Sequence, residues 1–457
     1  MDIAFASTTE LAAAIKRGTV AASDALDAQL AQIDKHNPAL NAVIMLDADG
    51  ARKRAAQADN ARKRGESWGP LHGVPFTLKD THETKGLRTT VGFPPFAKHV
   101  PAQDSVVVAR LKAAGAILVG KTNTAMLLAD FQTGNPLFGR TNNPWNVERT
   151  PGGSSGGAAA ALAAGMTPFD IGTDMQSSIR LPAHFCGVFG LKPTENRVSL
   201  EGGFPNPGDA PRTIHIMSCI GPMARSAEDL ALLYRIIAGA DARDTDVQPV
   251  PVEAVPALDI QGLRIACVPT FPGFPVATDI RQAVQALAKK LGDAGAIVEE
   301  ADLPERDFHA DLAAGGELIG MMLGAAQPDK DAPPPSVADY FAALHKRDRS
   351  IIAWENFLAQ WDALLCPVSM TTAFPHCEAG APLKVDGRDE DYWMVAGHGA
   401  LFNYSGHPAI AMPCGLDGAG LPIGVQLVGK RWSESRLLAI AQALSPLTGG
   451  FRRPPGY

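Results

Sequence analysis

A capped helix, a glycine stop and a short apolar strand follow one another across residues 105–120, and the same alternation recurs further along the chain. No other feature limits the fold as strongly. Ser105 can cap a helix running through Ala114, because its hydroxyl can accept from the unpaired amides of a first turn; Gly115 can end that helix, and residues 116–120 are apolar. Later, residues 263–268 read as a strand, Ile280, Val284, Leu287 and Leu291 mark one face of a helix, and Ile297-Val298 opens another strand after Gly295. Repeated β-α-β units imply an α/β fold with a large mixed, largely parallel, twisted β-sheet covered by helices on both faces. Residues 10–18 and 22–33 are expected as helices, and residues 73–80 as a turn and a short buried strand ending on Lys79-Asp80. Residues 244–256 and 329–336, rich in proline and acids, read as surface connections. A single unit is expected over 1–457, helical to about residue 70, with a core at about 71–235 and a variable insert at about 240–350.

Composition narrows the function by exclusion. The chain is 46% hydrophobic and 19% charged, which is globular, and its net charge of −7 offers nothing to a phosphate backbone or an anionic membrane. Nucleic acid and membrane are therefore excluded as partners. The start, Met1-Asp2-Ile3-Ala4, lacks the basic and apolar regions of a secretory signal, and no apolar run approaches the roughly 20 residues that span a bilayer. The apolar residues 318–326 read instead as buried helix. Six cysteines are scattered without CxxC or zinc spacing, and the histidines show no metal-binding pattern. Reduced cysteines, a cytoplasmic location and the absence of metal and cofactor are the corresponding expectations.

The chemistry points to Pro151-Gly152-Gly153-Ser154-Ser155-Gly156-Gly157, followed at once by an alanine-rich helical stretch to Ala164. Glycines let the backbone approach other groups closely and adopt conformations closed to other residues. Taken alone, the loop admits an anion site at a helix N-terminus, although the Lys-Ser/Thr of a P-loop is missing. It also satisfies G-x-S-x-G, the nucleophile elbow of an α/β-hydrolase, with His376 or His407 as the downstream base. Against that stands residues 143–151, Asn-Pro-Trp-Asn-Val-Glu-Arg-Thr-Pro, where a strand should precede the elbow.

Residues 169–183, Phe-Asp-Ile-Gly-Thr-Asp-Met-Gln-Ser-Ser-Ile-Arg-Leu-Pro-Ala, add a third motif. Together with the glycine-serine loop and Gly73-Val74-Pro75-Phe76-Thr77-Leu78-Lys79-Asp80, they resemble the amidase signature family of serine hydrolases. The resemblance continues through residues 185–194, 403–413 and 421–429 and so covers the chain toward both ends. It implies a Ser, cis-Ser, Lys triad: Ser178 as nucleophile, Ser154 as relay after a cis Gly153–Ser154 peptide, and Lys79 as base. Chemistry independent of the family agrees, since a serine hydroxyl needs a base within reach and a lysine can serve only if burial lowers its pKa. Phe76 and Leu78 suggest such burial.

Backbone amides of Met175, Gln176 and Ser177, with Ser178, are expected to hold the oxyanion. Here the chain departs from the family, which usually has two glycines at Gln176 and Ser177; a side chain forced to positive φ costs about 1 to 2 kcal/mol. Asp174 and Arg180 are expected to hold the nucleophile segment, Lys121 to be surface or structural, and His82 to be a local hydrogen-bonding residue. Met126, Leu127 and Phe131 are the candidate substrate pocket, Met126 and Leu127 standing where many relatives carry Glu-Phe. Apolar residues there favour small, rather apolar amides, aryl amides and carbamates, as in the similar aryl-acylamidase and urethanase branch, with esterase activity alongside. The expected assembly is a monomer or homodimer acting on a small molecule.

Two other readings stand beside this one. The glutamine-hydrolysing subunit of a tRNA-dependent amidotransferase usually carries a Gly-Tyr-Tyr-Asp-Ala-Tyr-Tyr-like segment, which the region from Tyr340-Phe341 to Trp361-Asp362-Ala363-Leu364 lacks. A non-catalytic binding protein is suggested only by Gln176 and Ser177.

Overall fold

The computed structural model describes residues 1–206, 212–326 and 335–457. The N-terminal part is helical: α1 (Thr8–Arg17), α2 (Ala22–Leu40), strand β1 (Val43–Leu46) and α3 (Ala48–Lys63). Ser7 caps α1 by accepting from Glu10 N, while the Glu10 carboxylate accepts from Ser7 N, so two orphan amides are satisfied at once. Next come β2 (Pro75–Lys79), α4 (Val106–Ala113) and β3 (Ile117–Thr122), with Ser105 accepting from Val108 N as its sequence position suggests. β2 pairs parallel with β3, and β1 pairs antiparallel on β3's other edge.

After the short hairpin β4 (Gly134–Asn135) and β5 (Gly139–Arg140) lie α5 (Gly156–Ala163), β6 (Phe169–Asp174), α6 (Arg180–Cys186), β7 (Phe189–Lys192), β8 (Cys219–Ala224) and α7 (Ala227–Ile237). The chain continues through β9 (Arg264–Cys267), α8 (Thr278–Asp293), β10 (Ile297–Glu300), α9 (Phe308–Ala326), α10 (Val337–Leu358) and β11 (Ala363–Pro367). It ends with the hairpin β12 (Leu383–Val385) and β13 (Arg388–Glu390), then α11 (Gly397–Tyr404), β14 (Ala409–Leu416), β15 (Pro422–Val428) and α12 (Glu434–Thr448).

Among the described residues eight strands form one mixed sheet in the order β10-β9-β11-β15-β14-β7-β8-β6. The α/β class and the flanking helices agree with the sequence, but the expectation of a largely parallel sheet does not hold. Only β10 with β9 and β9 with β11 pair in parallel; the other neighbours are antiparallel. The crossover β6-α6-β7 is present, yet β8 returns and inserts between its two strands, and β14–β15 is a hairpin. Periodicity reveals a crossover but not a strand that later enters it.

Alanines 160, 161 and 164 and Phe169, Ile171, Phe189 and Leu191 share one core with Phe76, Leu78 and the first three helices. Ile280, Val284, Leu287 and Leu291 of α8 are buried as their spacing requires. Residues 318–326 are only one-sided: Leu318 and Met322 are buried, whereas Leu323 is 50% exposed. A helix apolar all round in sequence therefore has an open face. The expected connection at 329–336 lies largely outside the described residues. No helix among the described residues is long and apolar enough to cross a membrane.

Candidate active site

β2 delivers Lys79 to a wholly buried position, and its Nζ lies 2.8 Å from each of Ser154 Oγ, Ser155 Oγ and Thr173 Oγ1. A neutral amine suits three hydroxyls, since its two N–H groups donate and its lone pair accepts. Burial lowers the Lys79 pKa to about 7, the charges of Asp174 and Asp170 opposing that fall only in part. The backbone N–H of Lys79 donates to Asp170 Oδ1 at 3.0 Å, which fixes the strand end.

The glycine-serine loop reaches this lysine because it has no side chains in its way. Gly152 has φ +84°, and a Cβ on Gly153 would meet Asp130 O at 2.6 Å and Gln132 O at 2.7 Å. The Gly153–Ser154 peptide is cis. Thr133 Oγ1 donates to Gly152 O at 2.8 Å and Thr124 Oγ1 to Ser154 O at 2.9 Å, so the loop is held from both sides.

Ser178 follows β6 and stands just ahead of α6, and its carbonyl accepts from Ser155 N at 3.2 Å, tying the two serine segments together. Of the serines gathered here Ser154 and Ser155 are sealed and Ser178 alone reaches solvent, at 7% exposure. Below it Asp174 and Arg180 form a wholly buried pair at 3.0 Å, in the structural position expected of them. Burial alone would raise the Asp174 carboxyl, but the Arg180 charge and hydrogen bonds pull it down to about 2. Asp174 Oδ2 also accepts from Ile179 N at 3.1 Å, which shapes the turn.

Ser177 has φ +67°, in the left-handed region that explains a family preference for glycine. Its N–H donates to Asn403 Oδ1 at 3.1 Å. Of the amides expected to hold an oxyanion, Ser177's is therefore already committed, because α11 brings a side-chain carbonyl against it. The amides of Met175, Gln176 and Ser178 have no acceptor among the described residues.

Other candidates separate clearly. Lys121 is fully buried, and its Nζ donates to His82 O at 2.5 Å and Thr89 Oγ1 at 3.2 Å, so it braces a loop. The His82 ring bonds Ile171 O at 3.1 Å. His407 bonds Ser405 Oγ at 2.9 Å, and among the described residues neither it nor His376 bonds Ser154 or Ser178, which removes the nucleophile-elbow reading. Met126 is 41% exposed on a short turn, with φ +51° at Leu127, while Phe131 is buried against Tyr392 and Trp393. Met126 and Phe131 therefore differ in exposure, and Asp130, just before Phe131 in sequence, is partly buried. Sequence reasoning missed Ser155, Thr173, Asp170 and Asn403. Ser155 and Thr173 lie inside the two serine motifs and could have been found as hydroxyls beside the lysine; Asn403 opens the resembling stretch 403–413, but nothing near it in sequence points to the Ser177 amide. No group of His, Cys, Asp and Glu that could hold a metal occurs among the described residues.

A family model described as Amidase matches residues 24–316 and 332–438. A glutamyl-tRNA(Gln) amidotransferase subunit of Roseiflexus sp. (strain RS-1) is 36% identical over 97% of this chain and 96% of its own length. The protein of the same name from Moorella thermoacetica is 34% identical over 100% and 99%. Among solved structures, 6-aminohexanoate cyclic dimer hydrolase superposes with TM-score 0.84 at 28% identity, covering 99% of each chain. A bacterial aryl acylamidase superposes with TM-score 0.85 at 26% identity, covering 97% and 96%. The expectation of small apolar amides, aryl amides and carbamates is corrected by these findings: both curated relatives named above, matched over nearly the whole chain, are glutamyl-tRNA(Gln) amidotransferase subunits.

Proposed function

This chain belongs to the amidase signature family of carbon–nitrogen hydrolases, and we propose that it is the glutamine-hydrolysing subunit of a tRNA-dependent amidotransferase. The observation that carries the chemistry is the buried Lys79 amine, its pKa lowered to about 7, at 2.8 Å from Ser154 Oγ. In this reading Ser178 Oγ attacks the amide carbon, its proton passes to Ser154, and Ser154 passes its own proton to neutral Lys79. The oxyanion is held by the uncommitted amides of Gln176 and Ser178. Return of the proton through Ser154 lets nitrogen leave as ammonia, since an amine anion is a very poor leaving group. Water then opens the acyl-enzyme by the same relay. The relatives support glutamine as the substrate.

A second reading, an amidase that works without partner subunits, is favoured by the missing tyrosine-rich segment between Tyr340 and Leu364. Ammonia release from glutamine by the purified chain, alone and co-expressed with candidate partner subunits, separates the two. Ser178→Ala is expected to abolish release in either case; wild-type-like turnover in that variant would sink both. Turnover of other primary amides but not of glutamine, with or without partners, would leave the second.

A further inference from the structure

Asp130 borders the catalytic loop, and the chemistry above makes no use of its side chain. Its carbonyl is so near Gly153 that a Cβ there would lie 2.6 Å away, which places the residue against the peptide leading into Ser154. The residue is partly exposed. Phe131 N donates to its Oδ1 at 2.7 Å, and the Tyr392 hydroxyl donates to the same oxygen. Oδ2 accepts nothing, and the carboxylate has no ion-pair partner, among the described residues.

Three aromatic rings pack on one another at the residues that hold Oδ1. Phe131 lies 6.1 Å from Tyr392 and 5.9 Å from Trp393, and Tyr392 lies 5.1 Å from Trp393 in an edge-to-face contact. The cluster is fixed from below, where Gln132 Nε2 donates to Tyr392 Oη at 3.2 Å and to Cys377 O at 2.8 Å. It is open above, because Trp393 is 53% exposed while Tyr392 is sealed. A role confined to anchoring Tyr392 would be complete with Oδ1 alone. A carboxylate oxygen left unpaired recognises an organic ammonium through a charge-assisted hydrogen bond, and an exposed ring of the same cluster adds cation–π attraction.

We propose that Asp130, held by Phe131 N and the Tyr392 hydroxyl, forms with the exposed ring of Trp393 a subsite for an ammonium group on the amide substrate. The subsite rests on amide hydrolysis at Ser178, and it would receive the α-ammonium of glutamine, which stands three carbons from the amide carbon. It does not require glutamine, because any amide with an ammonium at similar reach would use it.

The test compares kcat/KM of the wild type and Asp130→Asn on two matched pairs: glutamine with glutaramate, and 5-aminopentanamide with hexanamide. Asparagine keeps an acceptor for Phe131 N and Tyr392 and removes the charge. The expected result is that the variant loses about tenfold more activity on the ammonium member of each pair than on its neutral partner. An equal loss on both members would show a merely structural acid and overturn the subsite. Failure on glutamine with retained, Asp130-dependent preference for 5-aminopentanamide would sink the glutamine reading and leave the subsite standing. Glutamine turnover indifferent to Asp130 would do the reverse. Should no amide of the panel be turned over, calorimetric binding of 5-aminopentanamide to Ser178→Ala and to Ser178→Ala with Asp130→Asn decides, and equal affinities would overturn the proposal.

Discussion

Lys79 is the residue on which the chemistry turns, and its surroundings set a pH dependence. Only the neutral amine can accept the proton relayed from Ser178, and burial has brought its pKa down to about 7. Below that value the ammonium dominates and the rate should fall about tenfold per pH unit, while above it the rate should level. A pH–rate profile of kcat/KM is therefore expected to rise through about pH 7; a rise centred near the ordinary lysine value of about 10 would contradict a buried base. Lys79→Ala should lower kcat by roughly 10²- to 10⁴-fold, the usual worth of a positioned general base. Ser155 and Thr173 belong to the same argument, because their hydroxyls complete the shell that a neutral amine needs.

At the scale of elements, the turn between β6 and α6 is held by α11. Asn403 takes the Ser177 amide, and Gly399 leaves room for the Ser177 side chain: a Cβ at 399 would meet Ser177 Oγ at 2.2 Å. Ser177 Oγ is buried without a partner, and its backbone sits at φ +67°. Ser177→Gly should therefore raise stability by about 1 kcal/mol, by removing left-handed strain and an orphan hydroxyl. Gly399→Ala should cost about 1 to 3 kcal/mol through overpacking. Combined with Ser177→Gly, most of that cost should vanish, a coupling readable from denaturant midpoints as a double-mutant cycle. Strictly additive effects would show that the two residues do not compete for one space. This pair also marks where the sequence stops being informative. Ser105 with Val108, or the buried face of α8, were legible because both partners lie within a few residues. The turn's need for glycine-like φ was legible from the motif, but the α11 groups that meet it are more than two hundred residues away. Asp130 with Tyr392 is hidden for the same reason, and Lys121 is sealed by acceptors from a loop that no periodicity places above it.

For the whole molecule, the question is how a base on the small sheet is kept in register with serines carried by the large one. Asp170 of β6, the edge strand of the large sheet, supplies the joint. Its Oδ2 accepts from Thr77 Oγ1 of β2 at 2.7 Å and Thr122 Oγ1 of β3 at 3.0 Å, while Oδ1 accepts from Lys79 N. The rings of Phe76 and Phe169 stack alongside with centroids 5.0 Å apart. Because Thr173 also lies on β6, one strand both anchors the lysine backbone and presents a hydroxyl to its amine. The same carboxylate raises the Lys79 pKa, since a negative charge favours the ammonium. The two roles can be separated. Asp170→Asn keeps the shape and most of the hydrogen bonds, because threonine hydroxyls can accept from an amide as well as donate. It removes the charge, so the acid limb of the pH–rate profile should move down with kcat at high pH nearly preserved, by less than a fixed charge would give, because burial raises the Asp170 carboxyl itself to about 7 and leaves it part-ionised where Lys79 titrates. Asp170→Ala removes the joint itself, and kcat should fall across the whole pH range together with thermal stability. If the asparagine variant left the acid limb in place, Asp170 would act on Lys79 through position alone; if the alanine variant kept full kcat, the two sheets would be held in register by packing and not by this carboxylate.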